Sequence, residues 1–108
     1  MSEVRIAVLV SGGGTNLQAL IDAQSRGELG AGRISLVLAS KEGVFALERA
    51  ERAGIPARAL PRKAYARVAD YSRALADALT EARIDLVVLA GFLTIIDEID
   101  AQIGRAHV

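Results

Sequence analysis

The sequence predicts an α/β fold, an open and mostly parallel sheet with helices on both faces. Short apolar runs rich in β-branched residues alternate with stretches of helical period, and a glycine turn joins the first run directly to the first helical stretch. The runs are apolar throughout rather than alternating, which suits strands buried on both sides in a helix-covered parallel sheet. Strand followed by helix, repeated, calls for right-handed crossovers.

The first strand is Ile6-Ala7-Val8-Leu9-Val10, and Leu17, Leu20 and Ile21 then share one helical face. Gly27, just beyond Arg26, is the stop for that helix. Ile34-Ser35-Leu36-Val37-Leu38-Ala39 reads as the second strand. In the next helix Leu47 and Ala50 share a face, Gly54 ends it and Pro56 blocks its continuation. Ala57-Arg58-Ala59-Leu60 is a weaker strand. The longest helix follows, with Val68, Tyr71, Leu75, Leu79 and Ala82 at helical spacing. Leu86-Val87-Val88-Leu89-Ala90 is the last clear strand, apolar enough to expect a neighbour on each side.

Composition bounds what such a domain does. At 108 residues the chain forms one domain at most, and 52% hydrophobic residues give it material for a core. Thirteen basic residues balance 13 acidic ones, so charge gives no reason to expect a nucleic-acid or membrane-surface partner. With no cysteine, thiolate catalysis, disulfides and zinc–thiolate sites are excluded. No apolar run approaches a membrane span and the start lacks the regions of a secretory signal, so a cytoplasmic location is expected. Oligomeric state is not legible.

The chemistry-bearing feature is Ser11-Gly12-Gly13-Gly14-Thr15-Asn16, set between strand and helix. In an open α/β sheet, ligands bind outside the carboxyl ends of the strands. A glycine turn there lets the backbone approach an anion, and the first-turn N–H groups of the helix point at it. A helix terminus favours an anion by roughly 0.3–1 kcal/mol. Thr15 and Asn16 add short polar groups at the same spot. The dinucleotide fingerprint fails because Leu17 stands where its third glycine belongs, and a P-loop fails because no lysine precedes Lys41. The loop suits one phosphate monoester; the alternative for the loop read alone is a strand-to-helix turn that binds nothing. A side chain at Gly14 is expected to obstruct the anion or force unfavourable backbone angles, leaving the fold intact.

Two segments together resemble one family. Val10-Ser11-Gly12-Gly13-Gly14-Thr15-Asn16-Leu17-Gln18-Ala19-Leu20-Ile21 resembles the amino-terminal signature of the phosphoribosylglycinamide formyltransferases. Asp85-Leu86-Val87-Val88-Leu89-Ala90-Gly91-Phe92-Leu93 is similar to the strand and loop bordering their folate pocket, a segment shared with other formyltetrahydrofolate enzymes. Leu47-Glu48-Arg49-Ala50 followed by Ala53-Gly54-Ile55 resembles the family's second helix and its exit. The landmarks cover nearly the whole chain in the family's order.

The resemblance implies a Rossmann-like formyltransferase domain of purine biosynthesis. It would transfer a formyl group from the co-substrate 10-formyltetrahydrofolate to glycinamide ribonucleotide, without metal. By position, Gly14, Thr15 and Asn16, with Gly12 and Gly13, would hold the substrate phosphate. Leu93, Thr94, Ile95 and Ile96 would border the folate, partly through backbone groups. The chain departs from the pattern at Thr94, where the family commonly has arginine, and at Ser40-Lys41, where it has Ser-Asn, with the following loop one residue shorter. A folate-reaching arginine falls by ungapped matching on Val68, which leaves the adjacent Arg67 as a folate-binding candidate against the reading of an ordinary surface arginine.

The family's chemistry rests on an Asn-x-His motif and a later aspartate, and neither is present. Amine attack on a formyl group develops an oxyanion and a cationic nitrogen, which need a donor and a proton acceptor. His107 has no asparagine two residues before it and follows Gly91-Phe92 too closely to match, so no catalytic residue is assigned. Residues 1–102 are therefore expected to be the phosphate-binding half of a formyltransferase domain, inactive by itself. Gln102-Ile103-Gly104-Arg105-Ala106-His107-Val108 is encoded by CAG ATC GGA AGA GCA CAC GTC, which from its second base resembles a common sequencing adapter. Residues 103–108 are expected to be non-native on that ground. Two other readings stay open: another formyltetrahydrofolate enzyme (a deformylase or a methionyl-tRNA formyltransferase), or a non-catalytic phosphate-binding module. The loop with Thr15 and Asn16 argues against the first, and the absent acid–base constellation is what the second predicts.

Overall fold

A computed structural model describes residues 3–90. In chain order these form β1 (Val4–Val10), α1 (Thr15–Ser25), β2 (Gly32–Ala39), α2 (Phe45–Arg52) and β3 (Ala57–Ala59). A 3₁₀ turn (Arg62–Ala64), α3 (Val68–Glu81) and β4 (Leu86–Ala90) follow. The strands make one parallel sheet in the order β3-β2-β1-β4, so the expected open α/β architecture is what folds.

That order decides where the helices go. The chain steps outward from β1 to β2 to β3, then returns past both to place β4 on the other side of β1. α1 and α2 pack on one face, where Leu17, Ile21, Ala46 and Ala50 meet Ile6, Val8 and Val10. α3 covers the opposite face, setting Tyr71, Leu75, Ala78 and Leu79 against Ala7 and Leu9. The alternation along β1 thus feeds two separate cores, and Ile6 to Val10 are buried throughout. β2 does the same only because of a bulge. Ile6 pairs with Ile34 but Ala7 with Leu36, so Ser35 is skipped and the facing of β2 changes parity there. Ile34 and Val37 consequently share the α1/α2 core, while Leu36 and Leu38 join the α3 core.

The helix stops fall where glycine was expected. Gly27 and Gly54 both take φ of 73°, the left-handed conformation that closes a helix without a Cβ penalty. The buried face of α2 is centred on Ala46 and Ala50, with Leu47 only half-buried at its margin. Small residues there bring α2 close to the sheet and to the glycine turn. β4 is seated by a backbone clamp at its start: the Arg5 N–H donates to Asp85 Oδ2 at 2.9 Å and the Asp85 N–H to the Arg5 carbonyl at 2.8 Å. The resulting register puts Ala90 beside Val10, so β4 ends directly beside the entrance to the glycine loop.

Candidate functional site

The loop from Ser11 to Gly14 leaves the carboxyl end of β1 and enters α1 with Gly14 at its cap, φ 82° and ψ 30°. Left-handed backbone at that point turns the chain sharply into the helix, and α1 has no side-chain cap. Its first N–H groups are therefore left to another acceptor.

Successive carbonyls of the loop are tied to neighbouring elements. The Gly12 carbonyl accepts the Ala46 N–H of α2 at 3.3 Å, and the Gly13 carbonyl accepts Arg49 Nε–H at 2.8 Å. The Gly14 carbonyl accepts the Gln18 N–H at 2.8 Å, closing the first turn of α1. In a trans peptide the C=O of one residue and the N–H of the next point in opposite directions. With three consecutive carbonyls so committed, the N–H groups of Gly13, Gly14 and Thr15 project away from their partners. Among the described residues none of these three, nor the Asn16 N–H, has a protein acceptor. A run of unpaired N–H groups at a helix start is a nest for an anion. Thr15 and Asn16 are exposed at the same place, and neither side chain has a protein partner among the described residues.

The three glycines are not equivalent. A Cβ on Gly12 or Gly13 would meet nothing within 4 Å. A Cβ on Gly14 would lie 2.7 Å from Ala46 Cβ and 2.9 Å from Ala46 Cα. At φ 82° a side chain on Gly14 meets the unfavourable backbone angles that were expected, and only the expectation of an intact fold is corrected, because the Cβ would also collide with the backbone of α2.

Beneath the loop, Ser11 and Ser40 join the ends of β1 and β2 through a buried Oγ–Oγ hydrogen bond of 2.9 Å. Both serines line a cleft of about 570 Å³, walled by Lys41 and Glu42 after β2 and by Arg62 and Lys63 after β3. Three cations against one carboxylate give this edge a positive bias. Arg62 is held in place, donating from Nη1 to the Tyr65 carbonyl at 2.8 Å, with its Cζ 5.7 Å from the centre of the Tyr71 ring. Behind it the Tyr71 hydroxyl donates to the Leu60 carbonyl at 2.7 Å. Burial pushes that phenol up to about 12, partly offset by Arg62.

The structure thus gathers Gly12, Gly13, Gly14, Thr15 and Asn16 into one strand-to-helix turn. Arg67 is exposed at the cap of α3, and its side chain makes no hydrogen bond or ion pair among the described residues. Leu93, Thr94, Ile95, Ile96 and His107 lie outside the described residues. Sequence reasoning missed Arg49, Ala46, the Ser11–Ser40 pair and the Lys41, Arg62 and Lys63 cleft. A signal for Arg49 and Ala46 existed in the small-residue face of α2, which marks a close backbone approach. Among the described residues no group of histidine, cysteine or carboxylate side chains could hold a metal, and no helix is long and apolar enough to cross a membrane.

Residues 4–102 match the family described as formyl transferase. The chain belongs to that family. It is 44% identical over 94 residues to the human trifunctional purine biosynthetic protein adenosine-3, covering 87% of this chain and 9% of that protein. To the phosphoribosylglycinamide formyltransferase of Escherichia coli strain K12 it is 40% identical over 93 residues, 86% of this chain and 43% of that one. Among solved structures, glycinamide ribonucleotide transformylase 1 from Symbiobacterium toebii superposes with a TM-score of 0.88 at 35% identity, covering 97% of this chain and 50% of that chain. The phosphoribosylglycinamide formyltransferase of Bacillus halodurans gives 0.87 at 32% identity, covering 95% and 53%. This formyl transferase chain spans about half the length of those two structures.

Proposed function

We propose that the chain binds the phosphate of glycinamide ribonucleotide, as part of an enzyme that transfers a formyl group to it from 10-formyltetrahydrofolate in purine biosynthesis. The observation that carries the reading is the run of unpaired N–H groups from Gly13 to Asn16 at the carboxyl edge of the sheet. Similarity to glycinamide ribonucleotide transformylases supports the choice of phosphate ester.

In this reading the backbone of Gly13, Gly14, Thr15 and Asn16 grips the phosphate oxygens, with the Thr15 and Asn16 side chains beside them. The positive edge at Lys41, Arg62 and Lys63 draws the anion in. The folate would lie on the β4 side of the loop, bordered by Leu93, Thr94, Ile95 and Ile96. The pairing of Val10 with Ala90 supports this, since it brings the strand leading to that segment beside the loop. Arg67 at the cap of α3 remains the proposed side-chain contact to the folate. Bound there, 10-formyltetrahydrofolate supplies the formyl carbon. No residue of the 108 matches the Asn-x-His motif, so binding and orientation are the work assigned to this chain.

The test is a titration of the labelled protein with glycinamide ribonucleotide, followed by amide chemical shifts and by calorimetry. The amides of Gly13, Gly14, Thr15 and Asn16 should shift together, and ribose 5-phosphate should compete. Absence of binding heat, or shifts that spare these four amides, would overturn the assignment. Binding without competition by the phosphorylated sugar would point away from the phosphate.

A further inference from the structure

The glycine loop depends on a residue that is not part of it. Arg49 reaches from α2 to the Gly13 carbonyl at 2.8 Å through Nε and to Gln18 Oε1 of α1 at 3.2 Å through Nη1. Its guanidinium carbon sits 4.7 Å from the centre of the Phe45 ring, so the fork is held by stacking as well as by hydrogen bonds. The side chain is half-buried, with no carboxylate in ion pair with it among the described residues. Two of its five planar donors are committed, Nε–H to a loop carbonyl and Nη1–H to a side chain of α1.

We infer that Arg49 is a positioning residue for anion binding, acting through the Gly13–Gly14 peptide rather than by touching the anion. The inference rests on the phosphate reading above. The Gly13 carbonyl and the Gly14 N–H belong to one planar peptide, so fixing the first toward α2 aims the second out of the loop. The Ala46 N–H does the same for the peptide before it, through the Gly12 carbonyl. The Arg49–Gln18 bond joins this latch to α1, whose first-turn N–H groups complete the nest. α2 is in this way the template on which the nest is held open, and Arg49 is its adjustable member. Without it the 13–14 peptide is free to turn, and part of the ordering of the loop has to be supplied when the anion binds.

Substitution separates geometry from charge. In glutamine the side-chain nitrogen lies the same number of bonds from Cα as arginine Nε, so Arg49→Gln keeps a donor for the Gly13 carbonyl and loses the charge. Arg49→Lys keeps the charge but carries its nitrogen one bond further and cannot fork to Gln18. Arg49→Met keeps neither. Inorganic phosphate is the probe, titrated into the full chain and read by calorimetry and by the amide shifts of Gly13 to Asn16. Arg49→Met should weaken phosphate binding about tenfold, as expected for losing a charge-assisted hydrogen bond that orders the site. Arg49→Gln should recover most of that loss and Arg49→Lys less. Unchanged affinity in Arg49→Met, or recovery by lysine but not glutamine, overturns the inference. In the unliganded protein a scalar coupling across the hydrogen bond, from Arg49 Nε to the Gly13 carbonyl carbon, should be measurable. Coupling present with no phosphate bound by the parent protein would remove the phosphate reading and the anion role of Arg49 with it. Phosphate bound with the coupling absent would remove the Arg49 inference alone.

Discussion

Gly14 is required twice over, once by its backbone angle and once by its neighbour. At φ 82° an L side chain is strained, and a Cβ would stand 2.9 Å from the Cα of Ala46, an atom that cannot swing aside. Gly12 has neither constraint, since its Cβ position is open. Gly14→Ala should therefore destabilise the protein by about 2–4 kcal/mol, the combined scale of a disallowed φ and overpacking. Gly12→Ala should stay within about 0.5 kcal/mol. Urea unfolding of the two variants measures both, and equal midpoints would contradict the account. The run of three glycines was legible as a close-approach turn from sequence. Gly14 was the position expected to resist a side chain through its backbone angles; its collision with Ala46 was not legible, because that neighbour comes from another helix. Arg49 was hidden for the same reason: between Glu48 and Ala50 it reads as one more charge on a helix, and only the packing of α2 against the loop gives it a carbonyl to hold.

Among the elements, α1 and α3 were readable because each repeats its apolar face over several turns. The predicted Tyr71, Leu75 and Leu79 are fully buried in α3. α2, with 8 residues, is too short for periodicity to centre its face: Leu47 and Ala50 do pack on one core, but Ala46, which the pattern did not single out, is buried more deeply than Leu47. The 3₁₀ turn at Arg62–Ala64 had no sequence signature, yet it ties β3 to α3. That junction is polar as well as apolar. Tyr65 and Tyr71 pack with centroids 5.5 Å apart and their rings tilted by 58°, and the Tyr71 hydroxyl is bonded to the Leu60 carbonyl. The phenol is raised to about 12 from its ordinary 10, so the folded state holds its proton more tightly than the unfolded chain. The resulting stability is complete below pH 10 and drains away as pH rises from 10 toward 12. Tyr71→Phe should flatten that alkaline loss and cost about 1 kcal/mol at neutral pH. Thermal melts across that range decide it; an unchanged alkaline slope in the variant would mean that another group is responsible.

For the whole molecule, sequence alternation announced a parallel α/β sheet but not its order, because strand neighbours are chosen by crossovers that no local pattern records. Nor did it announce the bulge at Ser35, which lets one strand serve two cores. The order matters most at β4. Among the described residues this strand pairs with β1 alone, and Leu86, Val88 and Leu89 are only half-buried although Ile6 to Val10 on β1 are fully so. A strand edge without a partner, as β4 has among the described residues on its side away from β1, is a template for another chain. The chain also spans only half of the transformylase structures it resembles, and its 108 residues contain no Asn-x-His to serve as donor and base. The proposed phosphate nest draws on the unit from β1 through α2, all of it described. The Asn-x-His motif that the family resemblance implies as donor and base for formyl transfer is not among the 108 residues, so we expect no transfer from them. A preparation of residues 1–108 should therefore bind phosphate esters, associate increasingly with concentration, and show no formyl transfer above the uncatalysed rate. Sedimentation velocity across a concentration series and an assay beside the Escherichia coli formyltransferase measure the two halves of that statement. A monodisperse monomer that turns over substrate would refute both, and would return His107 to consideration as the missing base.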